Sequence, residues 1–194
     1  MSDEKQVGRP RNQDTTAAIL SAALDLMEEV GLKALTMEGI AARAGVTKTT
    51  VYRRWPSTWA IVLDAFLDEV APALEFEPQA TLRETVNADM KALAASFRGR
   101  PGRVFAPLLA FSQFNMELRE ALWERHIVPR RAQAFAVLVA GKHTGELRPE
   151  LDAEAALDAL YGSLVYKLLV PHGELSDEYV DTLVECVFGG VAPK

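Results

Sequence analysis

With 194 residues, 49% of them hydrophobic, and a mean hydropathy near zero, the chain has room for one large domain or two small ones and enough apolar material for a sizeable core. A formal net charge of −6 excludes general nucleic-acid coating, which needs a basic surface. The charge is segregated: residues 1–60 hold 8 Lys/Arg against 7 Asp/Glu, and the remainder holds 13 against 20. The sequence shows no strand-like alternation, internal repeat or low-complexity tract, and the expected class is all-α throughout.

Met1–Asn12 is polar, with Arg9 and Arg11 around Pro10, and reads as a flexible arm, either one able to reach a minor groove or a plain solubilising tail. From Thr15 to Val30 the apolar positions Ile19, Ala22, Ala23, Leu26, Met27 and Val30 recur at helical spacing, and Gly31 supplies the stop. The next stretch, Leu35 to Trp55, carries two start signals of the same kind. Leu35 and Ile40 bracket Thr36, and Val46 and Val51 bracket Thr47, each a Thr N-cap inside a hydrophobic staple. Ala44-Gly45-Val46 between them is the short turn a helix-turn-helix needs. Ile40, Ala44, Val46, Val51 and Trp55 can share a core. That leaves Thr47, Lys48, Thr49, Tyr52, Arg53 and Arg54 toward solvent as groups able to contact phosphates and bases. No Asp or Glu occurs from Gly39 through Leu63, so Arg43, Lys48, Arg53 and Arg54 have no acidic neighbour in sequence.

Pro56-Ser57 ends this unit and caps a helix over Thr58–Leu74, with Trp59, Val62, Leu63, Phe66, Leu67 and Val70 on one side. Thr81-Leu82-Arg83-Glu84 is a capping box, and the helix it starts runs through Val86, Met90, Leu93 and Phe97 to the break Gly99-Arg100-Pro101-Gly102. A helix over Val104–Phe114 contains Pro107. A long amphipathic pattern from Met116 to His143 is interrupted at Pro129, which should kink or split it. Ala153–Val170 and a last helix capped by Ser176 carry apolar stripes. Leu157, Leu160, Tyr161, Leu164, Val165 and Leu168 lie on the first, and Val180, Leu183, Val184, Val187, Phe188 and Val191 on the second. Two helices this apolar have more surface than one core takes, which predicts a two-fold dimer through a four-helix bundle. Cys186, the only cysteine, sits on this pattern and is expected as a buried thiol.

Catalytic chemistry has little to draw on. His126, His143 and His172 are scattered without metal-ligand spacing, Glu117, Glu120 and Glu124 read as an exposed acidic stripe, and no Gly-rich loop follows a strand. The expectation is no catalytic residue, no metal and no cofactor. No apolar run approaches the roughly 20 residues of a membrane helix, and the first residues are polar and acidic, which predicts a cytoplasmic protein without anchor or export.

Gly8-Arg9-Pro10-Arg11, the first helix with Gly31, Leu35-Thr36-Met37, Ile40-Ala41, Ala44-Gly45-Val46 and Thr50-Val51-Tyr52-Arg53-Arg54-Trp55 together closely resemble the DNA-binding region of TetR/AcrR-type regulators. The resemblance covers about the first third of the chain. It implies a DNA-binding domain at residues 1–56 and a helical effector-binding and dimerisation domain at 57–194, about nine helices in all. Its implied DNA contacts are Arg9, Arg11, Thr36, Thr47, Lys48, Thr49, Thr50, Tyr52, Arg53, Arg54 and Thr58. The family commonly has a Lys where this chain has Thr58, which removes one phosphate-contacting cation. The resemblance also implies a ligand pocket among the middle helices, with Met90, Phe97, Phe105, Phe111, Phe114 and Trp123 as apolar lining and Gln113, Asn115, His126 and Tyr166 as polar selectors. The implied partners are a palindromic DNA operator, a small apolar or aromatic effector and a second copy of the chain, with ligand releasing the DNA. A regulator whose ligand strengthens DNA binding, or a helical binding protein or enzyme keeping the head as scaffold, would share these features.

Overall fold

The computed structural model describes residues 10–70, 77–170 and 172–190, with the backbone alone at Pro10–Asn12 and Val70. Among them every regular element is a helix: α1 Pro10–Val30, α2 Met37–Arg43, α3 Lys48–Tyr52, α4 Thr58–Val70, α5 Leu82–Arg98, α6 Arg100–Ser112, α7 Met116–Leu122, α8 Val128–Thr144, α9 Ala153–Leu169 and α10 Asp177–Gly189. A π-helical turn, Trp123–Ile127, joins α7 to α8 without a break, so these three form one rod and the described helices number nine. No described helix is long and apolar enough to cross a membrane. The chain divides into two compact units, Met1–Asp68 and Glu69–Lys194.

In the first unit α1 begins at Pro10, ahead of the expected Thr15, because a proline fits the first helical turn, where its missing N–H would be unpaired anyway. The arm through Arg9 lies outside the described residues. Ile19, Ala22, Ala23, Leu24 and Met27 of α1 bury against Leu35, Met37, Ile40, Ala41, Val51 and Trp55, while Val30 at the exit is half exposed. Gly31 and Gly45 both take the positive φ their turns require, 77° and 67°. The unit extends past the 56/57 boundary expected from the helix-turn-helix, and part of the reason is a bond between α3's exit and α4. The Trp55 indole donates to Asp64 Oδ2 at 2.6 Å, and Ser57 Oγ caps α4 through Ala60 N.

In the second unit α5 packs against α6, α8, α9 and α10. The Thr81/Glu84 capping box starts it, and Val86, Met90, Leu93, Ala94 and Phe97 form its buried face. α6 opens at Arg100 rather than Val104, since Gly99 alone makes the break and Pro101 sits in the new first turn. Gly102 is there because α6 starts against the end of α5: a Cβ would stand 2.0 Å from the Phe97 carbonyl oxygen. Pro129 does not split the long helix. Lacking an N–H to return to the preceding turn, it is accommodated by the wider π turn just before it. The apolar stripes of α9 and α10 serve first as the core of a single chain, with Leu157, Leu160, Leu164, Val180 and Val184 almost wholly buried. Outward lie Ala155, Ala159, Gly162 and Tyr166 of α9 and Thr182 and Cys186 of α10, so the thiol is exposed rather than buried. Leu168, Leu183, Val187 and Phe188 are half-buried, and Val191 lies outside the described residues.

Candidate DNA-reading face and ligand cavity

α2 and α3 are short, and their starts are set by side chains. Thr36 Oγ1 accepts from Gly39 N at 3.0 Å, and Thr47 Oγ1 accepts from Thr50 N at 3.4 Å while bonding the Thr50 hydroxyl at 2.9 Å. Val51, fully buried, pins α3 to the core. This leaves Lys48, Thr49, Tyr52 and Arg53 exposed on α3 and at its exit, with Thr47 at its entry also exposed and Thr50, Arg54 and Thr58 half-buried. Of the other residues expected on this face, Thr36 is exposed at the entry of α2, the Arg11 side chain is not described and Arg9 lies outside the described residues.

The cations of this face are not bare, as the local sequence suggested. Arg43 makes a bidentate pair with Glu29 of α1, at 2.9 and 2.7 Å, and holds that carboxyl below its usual range. Lys48 Nζ stands 3.4 Å from Glu38 Oε1 of α2. Arg54 donates to the Thr16 hydroxyl of α1. The partners are carboxylates and hydroxyls on the two preceding helices, outside the acid-free window.

The second unit holds a cavity of about 250 Å³ between α5, α6, the π turn, α8 and α9. Phe97 and Phe105 stack beside it, with ring centroids 5.6 Å apart and an interplanar angle of 16°, and His126 meets the Phe105 ring at 5.3 Å in a tilted, near edge-on contact. Leu93, Leu109, Ile127, Ala134 and Val165 complete an apolar lining. His126 is 5% exposed. Burial, then the nearby Arg130 charge, pushes its imidazole down to about 4, so the ring is neutral at neutral pH.

Each charge on the cavity wall is matched within the protein. Arg130 donates to both oxygens of Asp89, at 2.9 and 3.0 Å, and Tyr161 Oη donates to Asp89 Oδ2 at 2.6 Å. Burial, with the Asp89 charge, drives the Tyr161 phenol upward, so it stays a donor. Arg131 pairs with Asp158 at 2.7 Å and with Glu154.

Of the expected pocket residues, Phe97, Phe105 and His126 come together and the others do not. Met90 is buried in the core behind them, and Phe111 is half-buried off the lining. Gln113 closes the end of α6, bonding Leu109 O and Ser112, and Asn115 is spent as the N-cap of α7 through Leu118 N. Phe114 is 90% exposed on the turn after α6. Trp123 is half exposed, since the π turn that brings His126 inward carries Trp123 out. Tyr166 lies outward against the His172 ring. Tyr161 and Val165, expected at a dimer interface, line the cavity instead. Sequence reasoning missed most of the lining, Leu93, Leu109, Ile127, Ala134 and the charged Arg130 among it, and Arg130 could have been found. Its signal was present, since His126, Arg130 and Ala134 fall at i, i+4, i+8 on one face.

Two family models cover this layout: residues 19–65 match the bacterial regulatory proteins of the tetR family, and residues 77–187 match the tetracyclin repressor-like C-terminal domain. The chain belongs to the TetR family. A helix-turn-helix-type transcriptional regulator of Bacillus subtilis (strain 168), YdeS, is 38% identical over 95% of this chain and 93% of its own length. Among solved structures, the TetR family transcription regulator SCO0332 superposes with a TM-score of 0.75 at 31% identity, over 93% of this chain and all of that one. The Bacillus subtilis regulator FadR, solved with stearoyl-CoA, shares the fold at a TM-score of 0.77 and 19% identity, over 91% of this chain and 99% of its own. As a TetR-family member the chain is a DNA-binding transcriptional regulator, and α2–α3 is the helix-turn-helix of its DNA-binding unit.

Proposed function

We propose that the protein is a homodimeric repressor that leaves a palindromic operator when a compact, uncharged, largely apolar ligand fills the α5/α6/α8/α9 cavity. Residues 1–56 read DNA, and residues 57–194 hold the effector and the partner subunit, working in the cytoplasm where the operator lies. The observation that carries the DNA-binding half is the exposure of Lys48, Thr49, Tyr52 and Arg53 on a helix whose entry is fixed by Thr47 and whose opposite side is anchored by Val51. Thr47, Lys48, Thr49 and Arg53 face base edges, while Thr50, Tyr52 and Arg54 grip the backbone. Two such helices in a dimer enter successive major grooves about 34–36 Å apart.

The ligand class is set by the wall of the cavity. Stacked Phe97 and Phe105 suit an aromatic or apolar body, neutral His126 offers one hydrogen-bonding group, and both arginines are already paired, which disfavours a carboxylate. A ligand changes DNA affinity only by binding two conformations unequally, and α4, whose residues run across the 68/69 boundary, is the covalent route between the units.

Selection of binding sites from a random duplex library tests this reading. A palindrome with half-sites one turn apart is expected, and Tyr52→Ala is expected to weaken binding to it by about 1–3 kcal/mol with the dimer intact. No enrichment by a folded dimer, or unchanged affinity in the variant, would overturn it. Titrating ligand onto that complex gives the sign of regulation.

A further inference from the structure

Among the described residues that line the cavity, Asp158 and Gly162 alone are exposed, and both lie on α9, so the cavity opens there. Arg131 of α8 reaches across to Asp158 at 2.7 Å, and the charges on this rim cancel. One turn on, a Cβ added at Gly162 would meet no heavy atom within 4 Å outside its chain neighbours and its own helix backbone. Its φ is not positive, and a glycine inside a helix weakens it relative to alanine, so neither the backbone nor packing within the chain asks for one. α9 carries two adjoining stripes. Asp158, Gly162 and Val165, spaced i, i+4, i+7, line the cavity, while Ala155, Ala159 and Gly162, spaced the same way, form an exposed row without bulk. Gly162 belongs to both. The mouth of the cavity therefore lies on the edge of a row where a second helix can approach closely.

We propose that the second copy completes the ligand cavity: α9 of the partner subunit lies across the mouth at Gly162 and supplies the wall that a side chain there would otherwise supply. The inference rests on the readings of the cavity as the effector site and of the protein as a homodimer. Glycine is then the residue the position needs, since a larger one would fill the mouth and hold the partner off. A ligand binds the dimer more tightly than a single chain, and by reciprocity it strengthens the dimer.

The test uses the full chain and a neutral fluorescent aromatic, N-phenyl-1-naphthylamine, with sedimentation to read the oligomeric state. The parent dimer should hold the probe and shield it from quenching by acrylamide. Ala159→Glu and, separately, Ala155→Glu change residues that do not line the cavity. Each should give a monomer with native circular dichroism. With one flank of the probe left in water, these monomers should bind it about tenfold more weakly and leave it several-fold more open to quenching. Where such a variant loses its fold, the parent supplies the same reading. Dilution through its monomer–dimer transition should weaken probe binding per subunit. Saturating probe, acting at two sites of about tenfold preference each, should lower the dimer's dissociation constant about a hundredfold.

Monomers that hold the probe as tightly and as well shielded as the parent would show the cavity complete in one chain and overturn the inference. A dimer that survives both substitutions, or whose dissociation constant the probe leaves unchanged, would overturn it too. Ala134→Leu, which fills part of the cavity from the α8 side, tests the underlying reading, and it should weaken the probe about tenfold with the dimer intact. If the parent takes up no probe, or Ala134→Leu binds it as the parent does, the ligand assignment itself falls. If Ala134→Leu responds and the monomers do not, only closure by the partner falls.

Discussion

Asp89 anchors a buried polar cluster in the second unit. It lies 8% exposed, accepting two bonds from Arg130 and one from Tyr161, and the guanidinium carbon also sits 5.8 Å from the Tyr161 ring centroid. Removing the carboxylate leaves a buried guanidinium without its counter-charge, whereas removing the phenol leaves the ion pair whole. Chemical denaturation should therefore show Asp89→Ala costing about 3–5 kcal/mol and Tyr161→Phe about 1 kcal/mol. His126 sets a pH dependence beside them. Its pKa falls from 6.5 to about 4 on folding, so between those values the unfolded chain takes up a proton that the folded chain refuses. Stability tied to the neutral ring is complete above the unfolded pKa and is lost as pH falls toward 4, at up to about 1.4 kcal/mol per pH unit. Urea melts at about pH 7.5 and about pH 5 should show a smaller loss in His126→Phe than in the parent.

At the scale of elements, the caps at Thr36, Thr47, Thr81 and Ser176 were legible because a cap joins residues three positions apart and needs no knowledge of packing. The pairs Glu29–Arg43 and Asp89–Arg130 were not, since 14 and 41 residues separate the partners and only the packed helices bring them together. The cavity lining was legible in part for a related reason. Aromatic richness around Phe111, Phe114 and Trp123 marked the right helices, but the turn after α6 and the π turn decide which side each ring faces, and neither can be read from a constant helical period. A π turn is in effect one surplus residue held inside a helix. Deleting Glu124, an exposed residue of that turn, should let the segment rewind as α-helix with both flanks in place, while deleting an exposed residue such as Ala136 in α8 turns everything beyond it by about 100°. Circular dichroism and melting should show the first deletion folded and the second severely destabilised.

The whole molecule adds the question of where a second copy docks. Leu157, Leu160 and Leu164 are consumed by the chain's own core, so the helix pair of the proposed dimer would draw on exposed Ala155 and Ala159 of α9 and on half-buried Leu183 and Val187 of α10. Ala159→Glu should give a folded monomer by sedimentation, and operator affinity should drop by about a hundredfold or more as the two heads lose their linkage. A dimer that survives this change would move the interface elsewhere. The segregation of charge bears on kinetics. The first sixty residues are nearly neutral and expose cations on α3, while the rest carries 20 acidic against 13 basic residues. In the field of a duplex such a molecule is turned as it approaches, because collisions through its acidic portion are repelled and those through the head are not. The acidic excess beyond residue 60 therefore favours the productive orientation, and a set of substitutions far from α3 that cancels that excess should slow association without touching a single DNA contact.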